Sequence, residues 1–184
     1  MKKAAVLMME GFEESETITI VDILMRCGIE AKTFYFGEDP YVCSMQNMLI
    51  KGDLPFSDAI KDYDAIVIPG GRHAWGKLIE ADGVLDMIRY FNDEHKLVAA
   101  MCSGTRVIKA ADIIEGKTVT GYYGYEDVLT GAHFIKDVVA CDDNLITSQG
   151  PATPYPFAFA IAEALGADTS VVRGRLLYKE AGGI

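Results

Sequence analysis

Three apolar runs, each breaking directly into a turn, constrain this chain most. They are residues 4–9 (AAVLMM), 65–69 (AIVIP) and 96–101 (KLVAAM). A short run with no polar face fits a strand covered on both sides, the habit of a parallel sheet between helices. Helical spacing follows these runs. Residues 15–27 carry Ile18, Val21, Leu24 and Met25 and close at Gly28, where a helix C′ glycine belongs. Residues 82–94 repeat the pattern through Val84, Leu85, Ile88 and Phe91, and 105–111 form a third short helix. Residues 30–36 read as a strand, and 41–50 as a small hairpin or edge strand. Residues 138–141 and 145–148 flank Asp142-Asp143-Asn144 as a hairpin, and 157–165 close the chain with a helix after three prolines. Strands alternating with helices predict a doubly wound α/β fold: a three-layer sandwich, mostly parallel, with helices on both faces and a β-hairpin elaboration. One domain over residues 1–184 is expected, with no internal repeat or linker.

Charge narrows the partners. With 17 basic and 27 acidic residues the net charge is −10, and no Lys/Arg cluster is available to neutralise a nucleic-acid backbone. The longest charge-free stretch, 145–162, is broken by Pro151, Pro154 and Pro156 and does not suit a membrane span. The N-terminus meets Glu10, Glu13 and Glu14 before any cleavage-like site, so it reads as a strand, and a cytoplasmic location is expected. Cys27, Cys43, Cys102 and Cys141 lie far apart without C-x-x-C pairing, which disfavours a zinc cage or a disulfide framework. No phosphate loop, metal-ligand set or dinucleotide motif is present, so neither cofactor nor metal is expected.

In an open α/β sheet, ligands collect at the carboxyl ends of the strands. Three loops lie there: 10–16, 69–75 and 102–104. The last is the most informative, because Ala100-Met101-Cys102-Ser103-Gly104 runs from an apolar strand straight into a helix. Small residues around a central nucleophile permit a sharp strand-to-helix turn, a nucleophile elbow with cysteine in place of serine. A thiol at a helix N-terminus is expected to lean toward thiolate. Gly70 and Gly71 present backbone amides suited to an oxyanion, with Ser103 completing the backbone set. Glu16, in the first turn of the first helix, is the candidate acid, in competition with Glu13 and Glu14. His73 follows the glycine pair, and Tyr122, Tyr123 and Tyr125 form an aromatic cluster suited to roofing a pocket or to packing.

The chain resembles the ThiJ/PfpI superfamily, in the branch of the parkinsonism-associated deglycase. The resemblance rests on EESET with VDILMRCG, IPGG, VAAMCSG, KTVT, LITSQGPAT and FAFAIAEALG. It implies a flavodoxin-like sandwich related to class I glutamine amidotransferases, and a homodimer. Cys102 matches the family's elbow cysteine, Glu16 the acid that hydrogen-bonds it, and Gly71 the nearby backbone amide. Where the protease-like branch has histidine directly after the cysteine, this chain has Ser103; where the deglycase-like branch has one after the K-V-T strand, it has Tyr122. His133 matches a histidine associated with structure rather than catalysis.

The expected function is a cysteine-dependent enzyme of small reactive carbonyls, glyoxalase- or deglycase-like, with a small-molecule substrate and Glu16 moving the proton. Two alternatives stand beside it: an oxidative-stress sensor or chaperone-like protein acting through a Cys102 sulfinate, and a cysteine amidase or peptidase. Dimerisation is expected through the first helix, with Ile20 or Ile23 meeting the partner and Arg26 nearby.

Overall fold

The computed structural model describes residues 1–183. The chain opens with β1 (Lys3–Met8), α1 (Glu14–Arg26) and β2 (Glu30–Tyr35). A hairpin of β3 (Tyr41–Cys43) and β4 (Leu49–Lys51) follows, then the short strand β5 (Leu54–Pro55). Next come β6 (Ala65–Ile68), α2 (Ala74–Glu80), α3 (Val84–Asp93), β7 (Leu97–Met101) and α4 (Thr105–Ala110). β8 (Thr118–Val119) pairs with β9 (His133–Phe134), and β10 (Val139–Asp142), β11 (Leu145–Ser148), α5 (Pro154–Ala164) and α6 (Ser170–Arg175) follow.

Seven strands build the central sheet in the order β10-β11-β7-β6-β1-β2-β5. Every neighbour pair is parallel except β10 with β11, the hairpin turning at Asp143. Alternation along the strands explains why the runs are apolar throughout. Ala5, Leu7, Ile66 and Ile68 face the side covered by α2, α3 and α4, with Leu78, Ile88, Phe91 and Ile108. Ala4, Val6, Ala65 and Val67 face the opposite side, against Ile20, Ile23 and Leu24 of α1 and Phe157 and Ile161 of α5. The fold is a flavodoxin-like α/β sandwich. Successive strands leave β1 in opposite directions, to β2 on one side and β6 on the other, so a crevice opens at the carboxyl ends of β1, β6 and β7.

Three local readings change. The helix expected to close the chain, α5, begins at Pro154, so two of the three prolines lie inside its first turn, and α6 follows it. No intrahelical acceptor is available to the first amides of a helix, so proline loses nothing there. Residues 74–80, of which 74 and 75 read as the end of a loop and the rest carry no assignment, form α2, anchored by buried Ala74 and Leu78. Ile20 and Ile23 are fully buried against the chain's own sheet and α5, which removes them from any surface. The exposed apolar residues of α1 are Ile18 and Met25, and Arg26 pairs with Asp22 at 2.8 Å.

Candidate active site

Cys102 directly follows β7 and starts the turn into α4 with φ +54°, a left-handed backbone that few side chains adopt. The turn closes because Gly104 carries no Cβ; one there would overlap the carbonyl oxygens of Ile68 and Pro69. Thr105 donates its hydroxyl to the Cys102 carbonyl at 2.7 Å and braces the elbow from below.

Glu16 reaches the same point from α1. Glu13 caps that helix, accepting from the Glu16 amide at 2.6 Å and the Ser15 hydroxyl at 2.8 Å. Glu13 is thus occupied in holding the helix start, and Glu16, fully buried, is left to face Gly70 and Cys102. Its Oε2 accepts from the Gly70 amide at 2.7 Å, while its buried Oε1 has no partner oxygen or nitrogen. A methyl group on Gly70 would lie 2.7 Å from Cys102 Cβ, 2.7 Å from Glu16 Oε2 and 2.9 Å from the sulfur. The bare Cα of Gly70 therefore separates and spaces the two reactive groups. Gly71 is pinned next to it with φ +142°, its missing side chain filled by the Gly11 carbonyl.

Both glycine amides are already engaged. Gly70 donates to Glu16, and Gly71 donates to the Ser103 hydroxyl at 2.9 Å. The turn amides expected to stand free for an oxyanion serve instead to hold the acid and the elbow.

Electrostatics of the pair follow from burial. Removing the Glu16 carboxyl from water raises it from 4.5 to about 7, against the Gly70 amide and the Cys102 thiol, which favour the charged form. The Cys102 thiol is pushed up as well, first by burial and then by the charge of Glu16 beside it; the Ser103 amide and hydroxyl oppose this. The short helix α4 does not offset that burial, so the expected resting thiolate is replaced by a thiol facing an acid. Above about pH 7 the pair's negative charge rests on Glu16.

A cavity of about 230 Å³ opens on the thiol, walled by Trp75, Tyr122, Tyr125, Met45 and Pro151, with Arg72 and Glu13 as its charged lining. Tyr122 stands edge-on to Tyr125, ring centres 5.7 Å apart, at the position where the resemblance led to an expected histidine. Arg106, one helical turn beyond Cys102, lies between Trp75 and Tyr125, 4.6 Å from each ring centre. Beyond the place of Arg72 and Trp75 in the loop 69–75, no sequence pattern marks Trp75, Arg72 and Arg106 as neighbours of the thiol. His73 sits exposed at the start of α2 and does not line this cavity, and neither does exposed His133 on β9. Tyr123 projects into solvent. No histidine lines the cavity, and among the described residues no His/Cys/Asp/Glu group is placed to hold a metal.

Residues 2–164 match the DJ-1/PfpI family. The chain is 34% identical over 187 residues to the Parkinson disease protein 7 homolog of Danio rerio, covering 97% of this chain and 98% of that one. It is 31% identical to the glutathione-independent glyoxalase DJR-1.2 of Caenorhabditis elegans, over 89% of each chain. Its fold superposes on the crystal structure of Drosophila melanogaster DJ-1beta with a TM-score of 0.91 and 31% identity, covering 96% of this chain and 97% of that one.

Proposed function

The chain belongs to the DJ-1/PfpI family, and from that premise we propose that it is a cysteine-dependent enzyme of small reactive carbonyls, converting 2-oxoaldehydes to 2-hydroxy acids. One observation carries the reading: a thiol on a strained elbow, open to a small cavity, and a buried acid flank the same glycine. The glyoxalase named among its relatives supports the same reaction class.

The residues suggest each step. The thiol sulfur bonds to the aldehyde carbon while its proton passes to the Glu16 carboxylate, which delivers it to the carbonyl oxygen, giving a hemithioacetal. Glu16 then takes the hydrogen of that carbon as a proton and returns it to the neighbouring carbon, while the hydroxyl proton of the first carbon passes to the oxygen of the neighbouring one, leaving the thioester of a 2-hydroxy acid. Water cleaves the C–S bond, the hydroxy acid leaves, and the thiol is restored. The sum is one oxoaldehyde plus one water giving one hydroxy acid, with no outside oxidant or reductant. An acid raised to about 7 serves both proton transfers near neutral pH. Methylglyoxal with a lactate readout tests the proposal: turnover that vanishes in Cys102→Ala and falls in Glu16→Gln is expected, and turnover equal to the Cys102→Ala protein overturns it.

The absence of a histidine from the cavity lining favours a second reading, oxidation of Cys102 as a stress signal. There the sulfur attacks peroxide, the O–O bond breaks and hydroxide leaves; a second peroxide yields the sulfinic acid and water. Intact mass and peptide mapping after mild peroxide decide it, since oxidation at exposed Cys141 ahead of Cys102 counts against it. Amidase or peptidase action has less support, because the glycine amides it would use are occupied.

We propose a homodimer as well, formed on the outer face of α1 with the β3–β4 hairpin beside it. Ile18, Met25, Tyr41, Met48 and Leu49 are exposed on these elements. Among the described residues no helix is long and apolar enough to cross a membrane, and a cytoplasmic location is part of this proposal.

A further inference from the structure

We infer that the carbonyl compound taken at Cys102 carries a carboxylate, held by Arg72 at the mouth of the cavity. The inference rests on the reading of Cys102 as a carbonyl nucleophile and adds the class of its substrate.

Arg72 lines the same cavity as the thiol, and its guanidinium has no hydrogen bond or ion pair with any described residue. The other charged lining residue, Glu13, is committed to the Ser15 hydroxyl and the Glu16 amide. The cavity therefore presents one cation that no ion pair ties down, with the Glu13 carboxylate as the other charge of its lining, on a chain whose net charge of −10 repels anions elsewhere.

The backbone bearing Arg72 is held firmly. Gly71 is fixed on one side by the Gly11 carbonyl, which occupies the space of a side chain, and on the other by Ser103, which bonds both its amide and its carbonyl. Arg72 is one residue beyond this anchor, so its long side chain swings from a fixed root.

Such a group has work to do here. Above about pH 7 Glu16, buried beside the thiol and behind the cavity wall, carries a negative charge, which disfavours an anionic substrate unless a cation offsets it. A guanidinium also binds a carboxylate through paired N–H donors, a match of shape as well as charge. The volume of about 230 Å³ lies below that of drug-sized pockets, roughly 300–1,000 Å³. It suits a short 2-oxoaldehyde whose far end is a carboxylate better than a bulky phosphate ester.

Trp75 is the chain's single tryptophan and walls the cavity, so its fluorescence reports occupancy. The probes are 4-oxopentanoate and its neutral isostere 4-oxopentanamide, titrated into the unmodified chain and into Arg72→Ala. The unmodified chain should prefer the carboxylate by roughly tenfold or more, and Arg72→Ala should erase that preference. Raising salt from about 50 to about 500 mM should weaken the carboxylate severalfold and leave the amide unchanged. Equal binding of the two probes, a preference kept in Arg72→Ala, or carboxylate binding indifferent to salt overturns the inference. The salt series uses only the unmodified chain and decides even if the variant does not fold. Selective carboxylate binding without lactate formation from methylglyoxal would sink the enzymatic reading while leaving the anion site in place.

Discussion

The Ser103 hydroxyl holds Gly71 at both of its backbone polar groups, accepting from the amide at 2.9 Å and donating to the carbonyl at 3.1 Å. One oxygen thereby ties the turn after β6 to the elbow after β7. Ser103→Ala leaves the buried Gly71 amide without its partner, while the carbonyl keeps the Ala74 amide at 3.1 Å. The expected cost is about 1–3 kcal/mol, read as a lower urea midpoint at unchanged slope. An unchanged midpoint would mean that the two turns hold their positions without this clamp.

Gly70→Ala tests the spacing of the reactive pair. The added methyl meets Cys102 and Glu16 at 2.7 Å, so the acid or the thiol must move. A misplacement of about 1 Å at reacting groups lowers rate roughly a hundredfold, and kcat/KM for methylglyoxal should fall by that order. Gly76→Ala is the matched control, since nothing lies within 4 Å of its added methyl. Equal rates in the two variants would show that the Glu16–Cys102 spacing does not govern turnover.

Glu16 gives the chain a pH-dependent stability with a defined sign. Its carboxyl is raised from 4.5 to about 7, so between those values the folded chain keeps a proton that the unfolded chain has released. Stability from this group is fully present below 4.5 and is lost as pH rises through about 7. The full swing is about 3 kcal/mol. Glu16→Gln cannot titrate, so its stability relative to the unmodified chain should improve by about 2–3 kcal/mol from about pH 5 to about pH 8 in urea melts. A flat difference across that range would place the Glu16 titration elsewhere.

Local pattern carried much of this site. The runs that became β1, β6 and β7 were legible because a strand covered on both faces has no polar position, and the elbow at Cys102 because small residues surround it. What depended on approach in space was not. Ser103 and Gly71 are 32 residues apart and Glu16 and Gly70 are 54 apart, so neither bond has a sequence signature. The same holds for charge: a helix N-terminus is a local feature and argued for a thiolate, whereas burial of Cys102 is a tertiary one and raises the thiol. α2 is not legible because seven residues with Gly76 in third place give too little periodicity to read, and its two buried anchors emerge only in the packed chain.

The surface of α1 supplies a last test, in which burial separates two isoleucines two positions apart. Ile20 is fully buried against the sheet and α5, while Ile18 is 44% exposed on the outer face with Met25 at 52%. A charge at position 20 attacks the core and should cost several kcal/mol, on the order of 3–5, in any oligomeric state. A charge at position 18 leaves the fold intact and acts only on what covers that face. In sedimentation, the unmodified chain at micromolar concentration should run as a dimer, Ile18→Glu as a folded monomer, and Ile20→Glu as poorly folded material. A two-fold interface doubles each substitution, so one glutamate per chain places a pair of like charges on the shared patch. A monomeric unmodified chain rules out the dimer, and a dimeric Ile18→Glu protein moves the interface off the outer face of α1.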